Sequence, residues 1–206
     1  MTTAQRTFGL IPAAGKSVRM GRPKLALSLG GRTVLERVLA AVRAGGVDET
    51  LVVIGPHVAE LEPLARREGA HVLALAEETA DMRATVERGL KWLEERFAPA
   101  ADDRWLLLPA DHPALDAAVV RRLLAARANS ERSIVLPTFE GKRGHPALID
   151  WLHVAALGAL PPGEGLNVYF RQQKEQSLEV PVASGDVLLD LDTPEDYARL
   201  QAVWQL

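Results

Sequence analysis

The 206-residue sequence predicts a doubly wound α/β fold, in which a mostly parallel sheet carries helices on both faces. Short apolar runs alternate with amphipathic stretches of helical length through four successive units, which is typical of parallel strands joined by crossover helices. Hydrophobic residues make up 48% of the chain and charged residues 25%, so a sizeable core is available and no segment is of low complexity. We expect one domain from residue 1 to residue 206.

The first half of the chain predicts three buried strands and three helices. Glycine or proline follows most of these elements and separates one from the next. The expected strands cover residues 7–12, 50–54 and 71–75. The expected helices cover residues 33–44, 58–68 and 82–97, where apolar residues recur at helical spacing. Asp81 directly precedes the last of these helices and suits its N-cap position.

The second half begins with two more strands, at residues 104–108 and 133–136, on either side of a helix at 115–128. The pattern then loosens, because turn residues separate shorter apolar runs. Here we expect a turn over residues 139–145, a helix over 151–160, and strands over 178–182 and 187–191. A closing helix is expected to begin at Thr193-Pro194-Glu195, with proline in its first turn.

Three loops are the expected location of functional residues, namely those that follow residues 12, 109 and 191. The reason is that ligands of such sheets bind outside the carboxyl ends of the strands. The charge distribution agrees: no acid precedes Glu36, whereas the segment from Glu175 onward has seven acids and one base, Arg199. One end of the chain can thus attract an anion and the other a cation, although chance scatter of surface charge explains the pattern equally well.

The composition argues against several classes of protein. A net charge of −3 disfavours general nucleic-acid binding, which needs a basic excess. The sequence has no cysteine, which excludes disulfides, thiolate metal sites and cysteine nucleophiles. The N-terminus lacks a signal-peptide pattern, and no apolar run reaches the roughly 18 residues that span a bilayer. We therefore expect a cytoplasmic protein without a nucleic-acid or membrane partner.

A loop of small and basic residues follows the first strand. Ala13, Ala14 and Gly15 have small side chains or none, which lets backbone N–H groups approach a phosphate closely. Arg19 offers a planar fork of donors and Lys24 a point charge, so the two can bind different phosphate oxygens. Neither GxxxxGK[ST] nor GxGxxG occurs here, so the loop by itself does not identify a ligand.

Three aspartates follow expected strands and are candidate metal ligands. Asp111 lies after the fourth strand between two prolines, and one carboxylate together with substrate phosphates is the usual way to hold Mg²⁺. Asp190 and Asp192 alternate along the expected last strand and would point the same way. Each has a structural alternative, because Asp111 also suits the cap of a turn and Asp192 the cap of the closing helix.

The loop sequence AAGKSVRMGRPK resembles the AAGxSxRMGxxK signature of the molybdenum-cofactor nucleotidyltransferases. These form the MobA-like NTP transferase family, within the Rossmann-like nucleotide-diphospho-sugar transferase group. The continuation LALSLGGRTVLERVL is also similar to that family, and four motifs follow in the family's order from residue 8 to about residue 203. The resemblance implies a nucleotide site. Its residues would be Ala13, Ala14, Gly15, Lys16, Ser17, Arg19, Lys24, Met82 and Thr85.

The resemblance also implies a metal site. Asp111-His112-Pro113 matches the family's Asp-x-Pro motif, and LDTPED at residues 191–196 matches its IDTPED segment. Asp111 and Asp192 would therefore hold Mg²⁺, with Mn²⁺ as a substitute and Asp190 as a weaker candidate. His112 departs from the hydrophobic or amide residue usual at its position, a change that bears on the second substrate and leaves the metal ligand Asp111 intact.

Two further segments bear on the substrates. Gly144-His145-Pro146 resembles the family's RGHP segment, so His145 and His112 would line the second-substrate side. DMRATVERGL at residues 81–90 resembles GMSASLRAGL, the family's contact with the nucleotide base. There Asp81 replaces a glycine and Arg83 a small residue, so either the base contact is altered or the substrate differs from the usual one.

The function implied is transfer of a nucleotidyl group from a nucleoside triphosphate to a phosphorylated acceptor, with release of pyrophosphate. Lys24 and Arg19 would stabilise the β,γ-phosphates, and Asp111 would act through the metal. Cytidylyl-transferring members tend to have Ala where guanylyl-transferring members have Gly, so Ala14 favours CTP as substrate. The acceptor would then be molybdopterin, and the partner enzyme that receives the product would be a molybdenum hydroxylase.

Two alternatives remain open from the sequence. One is a guanylyl- or other nucleotidyltransferase that acts on a different phosphorylated metabolite or a sugar phosphate. The other is a non-catalytic chaperone that binds or inserts the molybdenum cofactor, which the departures at Asp81, Arg83 and His112 would allow. Retention of Lys24, Asp111 and Asp192 together counts against a chaperone, since binding alone does not need them all.

Overall fold

Ten strands and seven α-helices make up the protein, which a computed structural model describes over residues 5–204. The strands are β1 (Thr7–Ala13), β2 (Ser28–Leu29), β3 (Arg32–Thr33), β4 (Glu49–Ile54), β5 (His71–Ala74), β6 (Arg104–Leu107), β7 (Ile134–Phe139), β8 (Lys142–Arg143), β9 (Ala147–Asp150) and β10 (Ser177–Pro181). The helices are α1 (Val34–Ala44), α2 (Leu61–Arg67), α3 (Met82–Phe97), α4 (Ala117–Ala128), α5 (Val154–Gly158), α6 (Leu166–Gln172) and α7 (Pro194–Trp204).

The main sheet has the strand order β10-β7-β9-β6-β1-β4-β5, with β8 paired to β7, while β2 and β3 form a separate hairpin. Strand β1 is parallel to β4 and β6, β4 is parallel to β5, and β10 is parallel to β7. Strand β9 is antiparallel to both β6 and β7. The prediction of a mostly parallel, doubly wound sheet is therefore confirmed.

Each face of the sheet is covered by its own hydrophobic core, as alternation along the strands requires. Along β1, Phe8 and Leu10 pack with residues of α3, α5 and α6. Ile11 belongs to the opposite core, which contains residues of α1, α2 and α4. Phe8, Leu10 and Ile11 are fully buried, and burial of such a side chain contributes about 1.5–3 kcal/mol.

Side-chain caps define where several helices begin. Helix α1 starts after Thr33, whose hydroxyl accepts from the Glu36 N–H at 3.2 Å, while the Glu36 carboxylate accepts from the Thr33 N–H at 2.7 Å. Asp81 caps α3, because its carboxylate accepts from the Ala84 N–H at 2.8 Å. The predicted range of α3 and its predicted N-cap are both confirmed.

The strand predicted at residues 187–191 is wrong. Gly185–Leu188 forms a 3-10 helix, and residues 189–192 have no regular structure. Val187 and Leu191 are buried whereas Leu189 is 40% exposed, which does not fit the two-residue period of a strand. Asp190 and Asp192 therefore do not share the face of a strand.

The closing helix begins at Pro194 as predicted, but Asp192 is not its cap. The Thr193 hydroxyl accepts from the Asp196 N–H at 3.2 Å, and the Asp196 carboxylate accepts from the Thr193 N–H at 2.8 Å. This reciprocal arrangement is a capping box, which leaves the Asp192 carboxylate available for other partners.

The remaining departures from the predictions lie mostly in the second half. Strand β9 and helix α6 were not predicted, and the helix expected over residues 151–160 is a 3-10 turn at Trp151–His153 followed by the short α5. The helix expected from residue 58 begins at Leu61. The turn at Glu140-Gly141 is confirmed, since both residues have positive φ angles (49° and 75°) and connect β7 to β8.

Over residues 5–204, none of the helices combines the length and the apolar character that a membrane crossing requires.

Candidate nucleotide and metal site

Strands β1 and β6 bring two of the three expected loops together. They are parallel neighbours, and the pairing continues past β6, since the Leu108 N–H donates to the Leu10 carbonyl at 3.1 Å. The third loop joins them because the Leu191 N–H donates to the Asp111 carbonyl at 2.8 Å. The loops that follow residues 12, 109 and 191 thus meet at the carboxyl edge of the sheet, as expected from the topology.

Four predicted site residues form a compact ionic group, here called the Lys24 cluster: Arg19, Lys24, Asp111 and Asp192. The Lys24 Nζ donates to Asp111 Oδ2 at 2.7 Å and to Asp192 Oδ1 at 2.8 Å. Arg19 Nη2 donates to the other Asp192 oxygen, Oδ2, at 2.6 Å. The side chain of Lys24 is only 13% exposed, whereas that of Arg19 is 70% exposed. Lys24 is therefore the inner cation of the cluster and Arg19 the outer one.

The charges of the cluster stabilise each other. Burial lowers the pKa of Lys24, but the neighbouring Asp111 and Asp192 outweigh this and raise the pKa above its ordinary value. Burial raises the pKa of Asp192, but the hydrogen bonds and charges of Lys24 and Arg19 hold it below its ordinary value. At neutral pH the site therefore contains an ammonium group held by a carboxylate that stays ionised.

Asp111 and Asp192 also suit a divalent cation. Their oxygens converge on one point of positive charge, the Lys24 ammonium, and carboxylate oxygens are the ligands that Mg²⁺ and Mn²⁺ prefer. In the described part of the chain, no group of three or more acidic or imidazole side chains has the geometry of a metal site. Two carboxylates would leave the other coordination positions to phosphate oxygens and water. Asp190 is exposed and does not join the cluster.

The loop between β1 and Lys24 folds back on itself through Ser17. The Ser17 carbonyl accepts from the Met20 N–H at 3.0 Å, and its hydroxyl accepts from the Lys24 N–H at 3.3 Å. Ser17 has a positive φ of 51°, which few residues other than glycine adopt. This turn directs the chain so that Lys24 reaches the two carboxylates.

A cavity of about 250 Å³ lies between the end of β1 and the start of α3, and is here called the β1–α3 cavity. It is lined by Pro12, Ala14, Gly15, Lys16, His57, Glu78, Thr79, Asp81, Met82 and Thr85. Five of the nine predicted nucleotide residues are among them. Of the other four, Arg19 and Lys24 belong to the Lys24 cluster, Ala13 is buried at the end of β1, and Ser17 holds the loop.

Sequence reasoning missed three residues of this cavity: His57, Glu78 and Thr79. Glu78 forms an ion pair with Lys16 at 2.8 Å and lies 4.0 Å from His57 Nδ1. His57 follows β4, which is the parallel neighbour of β1, and the other two follow β5, which is the next strand beyond β4, so their loops open at the same edge. Both strands were predicted from the sequence, and their loops could have been included on that ground.

His112 and His145 lie on the other side of Asp111. Their ring centroids are 5.0 Å apart, and His112 Nε2 is 3.8 Å from Asp111 Oδ1. Burial lowers the pKa of His112 below its ordinary value. Burial also lowers the pKa of His145, to about 4, and repulsion from the His112 ring when that ring is protonated adds to the effect. Both rings are therefore neutral at pH 7. Their Nδ1 atoms are buried without a hydrogen-bond partner among the described residues.

The two departures in the segment DMRATVERGL, residues 81–90, have different consequences. Asp81 lines the β1–α3 cavity while it caps α3. Arg83 points away from the cavity and donates to the carbonyls of Leu160 and Pro161, each at 2.8 Å. A further bond to the Glu164 carbonyl at 3.1 Å completes the tie between α3 and the loop before α6. Arg83 therefore does not line the β1–α3 cavity, and its role is to hold the loop before α6 against α3.

The fold and these motifs define a known class of protein. The family model for the MobA-like NTP transferase domain matches residues 9–177, and the chain belongs to this family. Membership supports nucleotidyltransferase activity and confirms the resemblance seen in the sequence.

Three known proteins are similar to this chain. The chain is 32% identical to the phosphoenolpyruvate guanylyltransferase of Rubrobacter xylanophilus, over 95% of this chain and 93% of that protein. It is 27% identical to the nicotine blue oxidoreductase of Paenarthrobacter nicotinovorans, over 93% of this chain and 95% of that protein. The crystal structure of Rv0371c from Mycobacterium tuberculosis in complex with manganese has a TM-score of 0.79 and 25% identity, and covers 97% of this chain and all of that one.

Proposed function

We propose that the protein transfers a cytidylyl group from CTP to a phosphorylated acceptor of the molybdopterin type and releases pyrophosphate. The observation that carries this proposal is the Lys24 cluster, in which one buried lysine joins Asp111 and Asp192 beside the glycine loop. Nucleotidyl transfer needs charge neutralisation and positioning more than covalent catalysis, and the cluster offers both. Hydride transfer, by contrast, has no need of such a pair of carboxylates.

In the proposed reaction a phosphate oxygen of the acceptor attacks the α-phosphorus, and the bond from that phosphorus to the pyrophosphate oxygen breaks. The backbone of Ala14 to Ser17 would bind the triphosphate, and Lys24 and Arg19 would neutralise the charge that develops on the leaving pyrophosphate. A divalent cation on Asp111 and Asp192 would supply further neutralisation at the phosphate oxygens. Lys24 would then exchange part of its contact with the carboxylates for contact with the phosphates.

The lining of the β1–α3 cavity bears on the choice of base. Glu78 and Asp81 are hydrogen-bond acceptors, and each has an oxygen not used by Lys16 or by the cap of α3. Carboxylates bind the amino groups of cytosine, guanine and adenine, which uracil and thymine lack. This supports CTP, GTP or ATP over UTP, and Ala14 in the loop favours CTP over GTP.

Guanylyl transfer to a small phosphorylated acid is the second candidate. It is favoured by the 32% identity to the Rubrobacter phosphoenolpyruvate guanylyltransferase over nearly the whole chain. A chaperone without catalytic activity is disfavoured, because Lys24, Asp111 and Asp192 are all present and in contact.

The test is release of pyrophosphate. The protein is incubated with CTP, GTP, UTP or ATP, with Mg²⁺ or Mn²⁺, and with molybdopterin, phosphoenolpyruvate or a sugar phosphate. Release with CTP and molybdopterin supports the first proposal, and release with GTP and phosphoenolpyruvate supports the second candidate instead. Binding of molybdopterin without release under any triphosphate would overturn both and support a chaperone.

A further inference from the structure

A second cavity, of about 300 Å³, opens beside His145 and is here called the α6 cavity. Arg143 lines it from β8, His145 from the segment between β8 and β9, and Asn167 and Arg171 from α6. Ala147 and Phe170 are buried and give the cavity an apolar floor. An apolar surface with a few converging polar groups is typical of a site for a small molecule.

The position of the α6 cavity relates it to the Lys24 cluster. Strand β9 runs antiparallel to β6, so the segment before it, with His145, lies at the same sheet edge as the Asp111 loop. His145 contacts His112, and His112 adjoins Asp111. The β1–α3 cavity lies on the β4 and β5 side of Asp111, and the α6 cavity on the β9 and β7 side. The cluster is thus flanked by a cavity on either side.

The α6 cavity is positively charged. Arg171 is exposed and has neither an ion pair nor a side-chain hydrogen bond with the residues that the structure describes. The Nε of Arg143 donates to Glu179 at 2.8 Å, so its charge is partly neutralised. Within residues 5–204, no Asp or Glu lines the cavity. By contrast, the β1–α3 cavity contains both Glu78 and Asp81.

Helix α6, which carries Arg171, is held in place by its neighbours. Asn167 and Arg171 are four residues apart on α6, so they project from the same face of the helix. The loop before α6 is tied to α3 by the hydrogen bonds of Arg83 to Leu160 and Pro161. The walls of the two cavities are therefore positioned relative to each other before any ligand binds, which lowers the entropic cost of aligning two substrates.

We propose that the α6 cavity binds the acceptor substrate through an anionic group other than the phosphate that attacks, held by Arg171 with Arg143 beside it. Guanidinium groups bind carboxylates and phosphates through paired hydrogen bonds, and either group has the required chemistry. The inference rests on the second candidate of the proposed function, nucleotidyl transfer to a small phosphorylated acid, because molybdopterin has one phosphate and no carboxylate. It makes Arg171 a specificity-determining residue that selects acceptors with two anionic groups.

The first test measures binding without turnover. Isothermal titration calorimetry compares three phosphorylated carboxylates of increasing length, phosphoglycolate, 3-phosphoglycerate and 6-phosphogluconate, with glycerol 3-phosphate and inorganic phosphate, which lack the carboxylate. At least one of the three should bind about tenfold more tightly than glycerol 3-phosphate. Arg171→Gln should weaken that binding by about 10- to 100-fold, as expected for loss of a hydrogen bond between charged groups, and should leave glycerol 3-phosphate unaffected.

Lys174→Gln is the matched control, because Lys174 is an exposed cation just after α6 that does not line the cavity. It should leave binding of the phosphorylated carboxylates unchanged. The inference is overturned if all three carboxylates bind no better than glycerol 3-phosphate, if Arg171→Gln binds them as the parent does, or if Lys174→Gln weakens binding equally. The last result would indicate attraction to the general surface charge.

A second measurement separates this inference from the proposed reaction. In the pyrophosphate assay, Arg171→Gln should raise the KM of the acceptor about tenfold or more and leave the KM of the triphosphate unchanged. If the assay shows turnover but the acceptor KM does not change, the inference fails and the reaction stands. If no triphosphate gives turnover but binding still depends on Arg171, the reaction fails and the anion site stands.

Discussion

Lys24 brings a positive charge to a point between two carboxylates that also suit a divalent metal. Its ammonium lies 2.7 Å from Asp111 and 2.8 Å from Asp192, so a metal that binds both aspartates competes with it for the same oxygens. Lys24 therefore has two effects that an experiment must separate: it neutralises the two carboxylates, and it would neutralise a bound triphosphate.

At the residue scale we predict that Lys24→Ala changes metal binding and turnover in opposite directions. Without nucleotide, the affinity for Mn²⁺ should rise, because the competing ammonium is gone. The kcat/KM for the triphosphate should fall by about 100-fold or more, which corresponds to a loss of transition-state stabilisation on the order of 3 kcal/mol. Electron paramagnetic resonance of free Mn²⁺ measures the first effect, and the pyrophosphate assay measures the second.

Lys174→Ala removes the same charge from an exposed position and should change neither quantity. If Lys24→Ala bound Mn²⁺ as the parent does, the two aspartates would not form the metal site proposed here. If it retained the parent's turnover, Lys24 would have no part in neutralising the triphosphate.

At the scale of elements, α3 determines how closely the wall of the β1–α3 cavity approaches the sheet. Gly89 allows this approach, because a Cβ at that position would overlap Leu10 Cδ1 of β1 and lie 2.9 Å from Val53 Cγ2 of β4. The glycine matches the family motif in the sequence. The structure supplies the physical reason, namely that helix and strands are in direct contact there.

Overpacking of a core costs about 1–3 kcal/mol, and the two close contacts at Gly89 favour the upper part of that range. Alanine gains about 1 kcal/mol over glycine in a helix, so we predict that Gly89→Ala destabilises the protein by a net amount of about 1–2 kcal/mol. Gly158, on α5, has no atom within 4 Å of its would-be Cβ, so Gly158→Ala should be neutral or slightly stabilising. Urea unfolding of both variants measures the difference, and equal stability of Gly89→Ala and the parent would contradict the packing described.

The elements that the sequence predicted well are those whose boundaries are set by nearby residues. Helix α3 has its N-cap at Asp81 and a stripe of apolar residues, and it was predicted to the residue. Strand β9 was missed because its four residues become a strand only through pairing with β6 and β7. The strand expected at 187–191 was wrong because its backbone instead bonds to other loops, for example from the His145 N–H to the Val187 carbonyl at 2.8 Å.

At the scale of the whole molecule, His153 connects distant parts of the second half of the chain. It is 4% exposed, its Nδ1 is 2.6 Å from the Tyr169 hydroxyl on α6, and its Nε2 is 2.7 Å from the Ser133 hydroxyl. Burial lowers the pKa of His153 below its ordinary value of 6.5. The unfolded chain therefore takes up a proton at a higher pH than the folded protein does, and His153 contributes less stability as the pH falls below 6.5.

We predict that the stability advantage of the parent over His153→Asn is larger at pH 7.5 than at pH 5.5, since only the parent loses the contribution of this histidine; these pH values bracket its ordinary pKa, about 6.5. Other titrating groups are common to both proteins and cancel in the difference. Urea unfolding at the two pH values measures it. A difference that stays constant, or grows toward acid pH, would contradict the assigned direction of the pKa shift.

What the sequence determined by itself is the fold class, the family and the residues most suited to bind phosphate and metal. Alternating periodicity, caps and motif spacing are local properties, and they were sufficient for the doubly wound sheet and for the family. They also singled out Lys24, Asp111 and Asp192 as candidates.

Only the tertiary structure decided which of these residues meet. Lys24 is 87 residues from Asp111 and 168 residues from Asp192 along the chain, and the strand order together with the packing of the loops brings them into contact. The same packing adds His57 and Glu78 to one cavity and places Arg171 in another, although none of the three belongs to a motif in the sequence. The physical reason is that a site at the edge of a parallel sheet is assembled from loops that are far apart in the sequence. The packing of strands and helices determines which of these loops lie next to each other.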